Sequence, residues 1–120
     1  MRVAVLGASV NSERYSNKAL RRLVAHGHEA VPVNPAHAEI EGVPAVRSLS
    51  DLPPGSIDTV TVYVGPQRSA ELAEQLVTLA PRRVIFNPGA ENPELAARLR
   101  RDGVESVDAC TLVLLATQAF

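Results

Sequence analysis

Arg2-Val3-Ala4-Val5-Leu6-Gly7-Ala8-Ser9-Val10-Asn11-Ser12-Glu13-Arg14-Tyr15-Ser16 is the stretch that decides the fold. Arg2 to Leu6 is a short apolar run rich in β-branched residues, and Gly7 stops it, which predicts a buried strand ending in a tight turn. After it, Ser16 to about His26 carries Ala19, Leu20, Leu23 and Val24 at helical spacing, with Ser16 as the N-cap and Gly27 closing the helix. Strand, glycine turn and helix in this order form the first half of a βα unit.

The same alternation continues along the chain. Ala30 to Val33 predicts a second strand, stopped by Asn34-Pro35. Residues 35 to 58 hold Pro35, Pro44, Pro53, Pro54 and Gly55 and predict an irregular crossover with one short helix near Ser48 to Leu52. A third strand follows at Thr59 to Val64, a helix at Gln67 to Leu79 and a fourth strand at Arg83 to Phe86. Asn92-Pro93-Glu94 then reads as N-cap, first-turn proline and dipole-matching acid of a helix reaching Arg101. Val104 to Val107 is a weaker fifth strand. The pattern predicts one α/β domain spanning residues 1–120: a Rossmann-like open parallel sheet of about five strands with helices on both faces. Right-handed crossovers suggest the strand order 3-2-1-4-5. The chain then reverses beside strand 1 and opens a crevice at the carboxyl ends of the strands, rimmed by Gly7, Asn34, Val64 and Asn87.

Composition agrees with a single soluble core. The 120 residues are 46% hydrophobic and 21% charged, with only 3% aromatic and no Trp, so Val, Leu, Ile and Ala fill the interior. A net charge of −1 gives no field to draw nucleic acid or an acidic membrane, and any phosphate site is local. Cys110 is the lone cysteine and has no zinc-ligand spacing around it, which suits a reducing compartment. The apolar run after Met1-Arg2 is far shorter than a signal-peptide core or a membrane span. The expected location is cytoplasmic, with no metal, no nucleic acid and no membrane as partner.

The first loop is not the dinucleotide fingerprint. The second and third glycines of Gly-x-Gly-x-x-Gly fall on Ser9 and Ser12, and the end of strand 2 carries Asn34 in place of the ribose-binding acid. The loop does carry Arg14 and Lys18 at the start of a helix, beside hydroxyls at Ser9, Ser12 and Ser16. These groups bind phosphate, or the two cations are simply solvated surface charges. His26, His28 and His37 are isolated and read as surface or capping residues. Cys110 has no histidine placed by motif to activate it, and Glu91 and Glu94 read as charge complementing a helix N-terminus.

Gly-Ala-Ser-x-Asn-x-x-Arg-x-Ser at residues 7 to 16, Val33-Asn34-Pro35, Ile40-x-Gly42-Val43-Pro44, Ser48-Leu49-x-Asp51-Leu52-Pro53 and Phe86-Asn87-Pro88-Gly89 together resemble the small stand-alone CoA-binding proteins. These in turn resemble the CoA-binding domain of the succinyl-CoA synthetase alpha subunit. The resemblance spans nearly the whole chain and implies coenzyme A, or an acyl-CoA, as ligand. It implies that Gly7, Ala8, Ser9, Arg14 and Lys18 lie near the diphosphate and adenosine, and that Asn34 and Pro35 flank the nucleotide. Tyr63, Val64 and Pro66 then line the pantetheine path, and Asn87, Pro88 and Gly89 form a wall at the end of strand 4. Two positions depart from the pattern: Tyr15 stands where many relatives have proline, and Asn-Pro-Gly replaces a glutamine-rich or glycine-rich turn.

The synthetase uses a phosphorylated histidine on a second domain and a nucleotide-binding partner, and these 120 residues are expected to form the CoA-binding part without a second domain. The expected function is therefore non-catalytic binding, as a carrier, sensor or accessory module. The alternative is a small NAD(P)- or nucleotide-dependent enzyme using the same crevice. The tail from Thr111 to Phe120 contains Leu112-Val113-Leu114-Leu115-Ala116, too apolar to stand in water. Docking on the protein's own sheet covers it, or else a homodimer contact or another protein partner does.

Overall fold

A computed structural model describes residues 1–120. Strand β1 (Arg2–Leu6) leads into α1 (Tyr15–Ala25) and β2 (Glu29–Val33), followed by the small strands β3 (Glu39–Ile40) and β4 (Val43–Pro44). A single 3₁₀ turn (Leu49–Asp51) precedes β5 (Thr59–Val62), α2 (Pro66–Glu71) and α3 (Ala73–Leu79). Strand β6 (Arg83–Phe86), α4 (Pro93–Arg101), β7 (Glu105–Asp108) and α5 (Thr111–Ala116) complete the chain. The α/β class and the parallel sheet with helices on both faces are as the sequence predicts.

The central sheet has five parallel strands in the order β2-β1-β5-β6-β7. Counting only these five, the order is 2-1-3-4-5 and not the expected 3-2-1-4-5. The outer edge of β2 explains the difference. Pro32 lies within β2 and has no N–H, and its carbonyl faces outward, accepting from the Val46 N–H at 3.0 Å while Asn34 N–H donates to Val46 O at 2.9 Å. A strand with a proline on its open side cannot complete a ladder there. The crossover segment caps that edge with one bridge, and the next full strand pairs with β1 on its free side.

Alternation sorts the side chains of β1 into two cores. Ala4 and Leu6 join Val31, Val33, Val60, Val62, Val84 and Phe86 beneath α3, α4 and the 3₁₀ turn. Val3 and Val5 point the other way and pack with Leu20 and Leu23 of α1 and Leu115 of α5. Coverage on both faces is why β1 and β6 read as apolar runs after their first residue, while β5 alternates as Thr59-Val60-Thr61-Val62 with both threonines fully buried.

Two local expectations change, and the tail gains a helix. The helix foreseen from Gln67 to Leu79 is broken at Leu72 into α2 and α3. A hairpin, β3–β4, interrupts the crossover, its turn built on Glu41 and Gly42 at φ 53° and 76°, the left-handed pair of a tight two-residue hairpin. The tail forms α5, which docks on α1 and the sheet face. Leu115 is buried there, Thr111 Oγ1 lies 2.8 Å from Thr61 Oγ1, and Phe120 sits beneath the Arg83 guanidinium at 4.6 Å. Thr111 and Leu115 are thus covered by the protein's own chain, while Val113 is 56% exposed. No helix is long and apolar enough to cross a membrane.

Leu115→Ala removes a fully enclosed side chain from the smaller core and is expected to destabilise the protein by about 2–5 kcal/mol. Urea denaturation reads this directly, and an unchanged midpoint would mean that α5 contributes nothing to that face.

Candidate functional site

The strands end level with one another. Leu6 pairs with Val33 and Val62, Val62 with Phe86, and Phe86 with Asp108, so Gly7, Asn34, Tyr63 and Asn87 begin a common rim. At its centre the backbone of Gly7 lies against β5's exit. A Cβ on Gly7 would stand 2.8 Å from Val64 Cγ1 and 3.3 Å from both the Tyr63 carbonyl carbon and the Val64 nitrogen, and φ is +87°. Both space and backbone conformation require glycine at this position.

The loop from Ala8 to Arg14 is held by its own polar atoms. Asn11 N–H donates to Ser9 Oγ at 3.1 Å, and Glu13 N–H to Asn11 Oδ1 at 2.9 Å. Arg14 N–H bonds Asn11 O at 3.0 Å, which starts α1 early: its N-cap is Arg14, and Ser16 is a buried residue within the helix instead of the expected cap. Beneath the loop, the fully buried Asn17 donates from Nδ2 to Ser9 O at 2.9 Å and to Glu41 Oε2 at 3.0 Å, while Arg21 Nε donates to its Oδ1. Asn34 Nδ2 donates to Ala8 O at 2.9 Å, and its Oδ1 accepts from the N–H groups of Ala36 and His37. Arg14 is exposed, and Lys18 Nζ lies 5.3 Å from the centroid of the Tyr15 ring, a cation–π arrangement.

Two cavities flank the Gly7–Val64 contact, because Val64 turns toward the larger core and Tyr63 toward the smaller one. The first, of ≈ 170 Å³, has walls of Leu6, Gly7, Val33, Pro35 and Val64 joined by Arg47, Ser48, Leu49, Arg68, Leu72 and Gln75. The second, of ≈ 240 Å³, is lined by Tyr15, Tyr63, Asn87, Pro88, Cys110 and Leu112. The residues singled out in the sequence are therefore split. Gly7, Pro35 and Val64 line the first cavity, Tyr63, Asn87 and Pro88 the second, and Ala8, Ser9 and Asn34 build the loops between. Lys18 faces a groove shared with Arg21, Arg22 and Leu112. Pro66, first residue of α2, and Gly89, in the turn after β6, lie exposed and line neither cavity.

The two cavities differ in chemistry. No carboxylate lines the first. Arg47 makes no side-chain hydrogen bond or ion pair, and Arg68 has only the exposed Glu71 at 3.8 Å. Ser48 Oγ donates to Gln75 Oε1 at 3.0 Å and also receives the Ser50 N–H of the 3₁₀ turn. Two guanidiniums above a floor of Leu6, Val33, Leu49 and Val64 suit an anion attached to a flat apolar group. The second cavity is mostly apolar and uncharged. Burial pushes the Tyr63 phenol up to about 12, so it stays protonated at neutral pH. The Asn87 amide is wholly used within the protein. Its Nδ2 donates to Thr61 Oγ1 at 2.7 Å and Val62 O at 2.9 Å, and its Oδ1 accepts the Thr111 N–H at 2.9 Å.

Arg47, Arg68 and Gln75 are absent from the sequence expectations, and Ser48 enters them only within the crossover motif and its short helix, not as a site residue. Arg47 and Ser48 stand on the crossover, Arg68 on α2 and Gln75 on α3, and only the crossover's return against β2 and the packing of those helices bring them together. Tyr15 stands out in the sequence only as a departure from proline, and its place at the second cavity depends on α5 supplying Leu112 opposite.

Residues 1–116 match the sequence profile of a family described as CoA binding domain. A crystal structure of an uncharacterized protein superposes with a TM-score of 0.90 at 39% identity, over 99% of this chain and 97% of the other. The Bacillus subtilis protein YneT is 31% identical over 102 residues, covering 85% of this chain and 75% of the relative. The dinucleotide-forming acetyl-coenzyme A synthetase 1 of Ca. Korarchaeum cryptofilum shares the fold at 21% identity and a TM-score of 0.76, over 90% of this chain and 25% of its own.

Gly7→Ala forces a methyl group into the Val64 contact at a left-handed φ, and the strain is expected to cost about 1–3 kcal/mol. Thermal unfolding of this variant beside Gly27→Ala separates the two causes. Both positions have positive φ, but Gly27 has open space around it, so a larger loss at Gly7 reports the contact itself.

Proposed function

The chain belongs to the CoA binding domain family, and from that premise we propose that it binds coenzyme A, or an acyl-CoA, across the carboxyl ends of its strands without transforming it. The observation that carries this reading is the pair of unlike cavities on either side of the Gly7–Val64 contact, one cationic and one apolar. Coenzyme A has the same division, with a phosphorylated nucleotide at one end and a long, uncharged pantetheine arm at the other.

In this reading the nucleotide lies over Gly7, Ala8 and Ser9 with Asn34 and Pro35 beside it, and Arg14 and Lys18 neutralise the diphosphate from the start of α1. The pantetheine arm passes Val64, Tyr63 and Pro66 toward Asn87, Pro88 and Gly89. Neither cavity is lined by a histidine or a carboxylate. Tyr63 is held in its neutral form, so it offers a hydrogen bond and no base. These features support a binding role, as a carrier, sensor or accessory module.

Coenzyme A at one hundred times its dissociation constant stabilises the fold by about 2.7 kcal/mol and is expected to raise the melting temperature by on the order of 10 °C. NAD at equal concentration is expected to leave it unchanged. A shift with NAD alone would favour a dinucleotide-dependent enzyme in the same crevice.

Arg14→Ala is expected to weaken coenzyme A binding by about 1.5–3 kcal/mol through loss of one charge-assisted phosphate contact. The unliganded melting temperature should hold, since the Arg14 side chain makes no capping bond. Calorimetry checks this, and equal affinity would remove Arg14 from the site.

A further inference from the structure

We propose that Arg47 and Arg68 form a dedicated site for the phosphomonoester on the adenosine ribose, making the protein selective for coenzyme A over the same molecule lacking that group. This rests on the coenzyme A reading above and adds a specificity element to it.

The argument begins with the number of anionic centres. Coenzyme A carries a diphosphate and, separately, a monoester on the ribose. The rim carries two groups of cations on different elements. Arg14 and Lys18 stand at the start of α1, and Arg47 and Arg68 line the cavity under α2 and α3. Arg14 and Lys18 suffice for a diphosphate, and a dinucleotide with no monoester leaves the second pair unused.

The surroundings of the second pair fit a dianion. Eleven residues line the cavity and none is acidic, so the guanidiniums have no competing carboxylate inside it. Arg47 lacks any internal partner, and the 3.8 Å approach of Arg68 to exposed Glu71 is too long and too wet to hold it. The Ser48 hydroxyl occupies the Gln75 carbonyl oxygen at 3.0 Å, which leaves the Gln75 amide nitrogen as a further donor. Pro35, Val33 and Leu6 supply the apolar bed on which a base and ribose rest. A guanidinium fork matches the oxygens of a phosphate, and two forks suit a doubly charged monoester better than a bridging diphosphate, whose charge is spread along its length.

Titration calorimetry on the full chain tests this with coenzyme A and dephospho-coenzyme A against wild type and the double variant Arg47→Gln, Arg68→Gln. Wild type is expected to prefer coenzyme A by at least about tenfold. The double variant is expected to bind both ligands equally, at the affinity wild type has for dephospho-coenzyme A. Retained dephospho-coenzyme A binding shows at once that the variant is folded and that the remaining site is intact. Equal affinity of wild type for the two ligands overturns the inference and leaves the coenzyme A reading standing. So does a double variant that keeps the preference, or one that unfolds or loses both ligands. Failure of wild type to bind either ligand removes the coenzyme A reading itself.

Discussion

The rim is organised by the contact between Gly7 and the exit of β5. Parallel strands that end level would ordinarily leave a trough at the point where the chain reverses. Here a missing side chain lets the first loop lie directly on Val64, so the trough is closed at its centre and open at its two ends. Bringing β5 next to β1 is therefore inseparable from having glycine at position 7. The same contact determines which side chains reach each end, since Tyr63 and Val64 leave the strand on opposite faces.

Amides, more than charges, stabilise that arrangement. Asn17, Asn34 and Asn87 each join segments distant in sequence: the first loop to the β3–β4 turn, the end of β2 to the first loop, and the end of β6 to β5 and α5. A neutral amide both donates and accepts, so it can satisfy backbone groups on two sides without the desolvation cost of a buried ion. The carboxylates stay at the periphery, as with Asp58, whose acidity is increased by its paired hydrogen bonds from Arg82. This leaves Arg47, exposed at the wall of the first cavity, and Arg14, exposed on the rim, without internal partners. Cations without internal partners at the carboxyl end of the sheet differ from those engaged in holding the fold, such as Arg100, which bonds Ser106 O at 2.7 Å.

The α/β class was legible because βα periodicity and glycine turns are local. The ends of β1, β2 and β6 and the Asn92 cap needed nothing beyond neighbouring residues, whereas β5 stops at Val62, two residues short of the expected Val64, and β7 runs one residue later than expected. Strand order was misread although its signal was present: Pro32 lies inside a run that the order 3-2-1-4-5 would require to pair on both sides. The hairpin at Glu41-Gly42 was hidden because its two strands are only two residues each, too short for alternation to register. Arg47 and Arg68 could not be found in the same way. Their proximity depends on the crossover bridging back to Val33 and on α2 starting at Pro66, relations that belong to the tertiary structure. The amides show a related limit. Asn34 and Asn87 were read as flanking a ligand, and they do stand at the rim, but their hydrogen-bonding capacity is used in building it.

A closed centre also constrains what such a rim can hold. A rigid, compact ligand would fill one cavity and gain little from the other, because the Gly7–Val64 backbone prevents it from sinking between them. A ligand of two unlike parts joined by a flexible chain can seat each part separately, and once one part is bound the other is confined near its own cavity. The linkage raises affinity without any deep pocket, which is consistent with cavities of only ≈ 170 and ≈ 240 Å³. Selectivity then belongs to the two ends independently. Under the binding mode proposed above, the cationic cavity would read the charge on the nucleotide. The apolar one, bounded by Tyr15, Tyr63, Pro88 and Leu112, would read the bulk and polarity of whatever the far end of the arm carries.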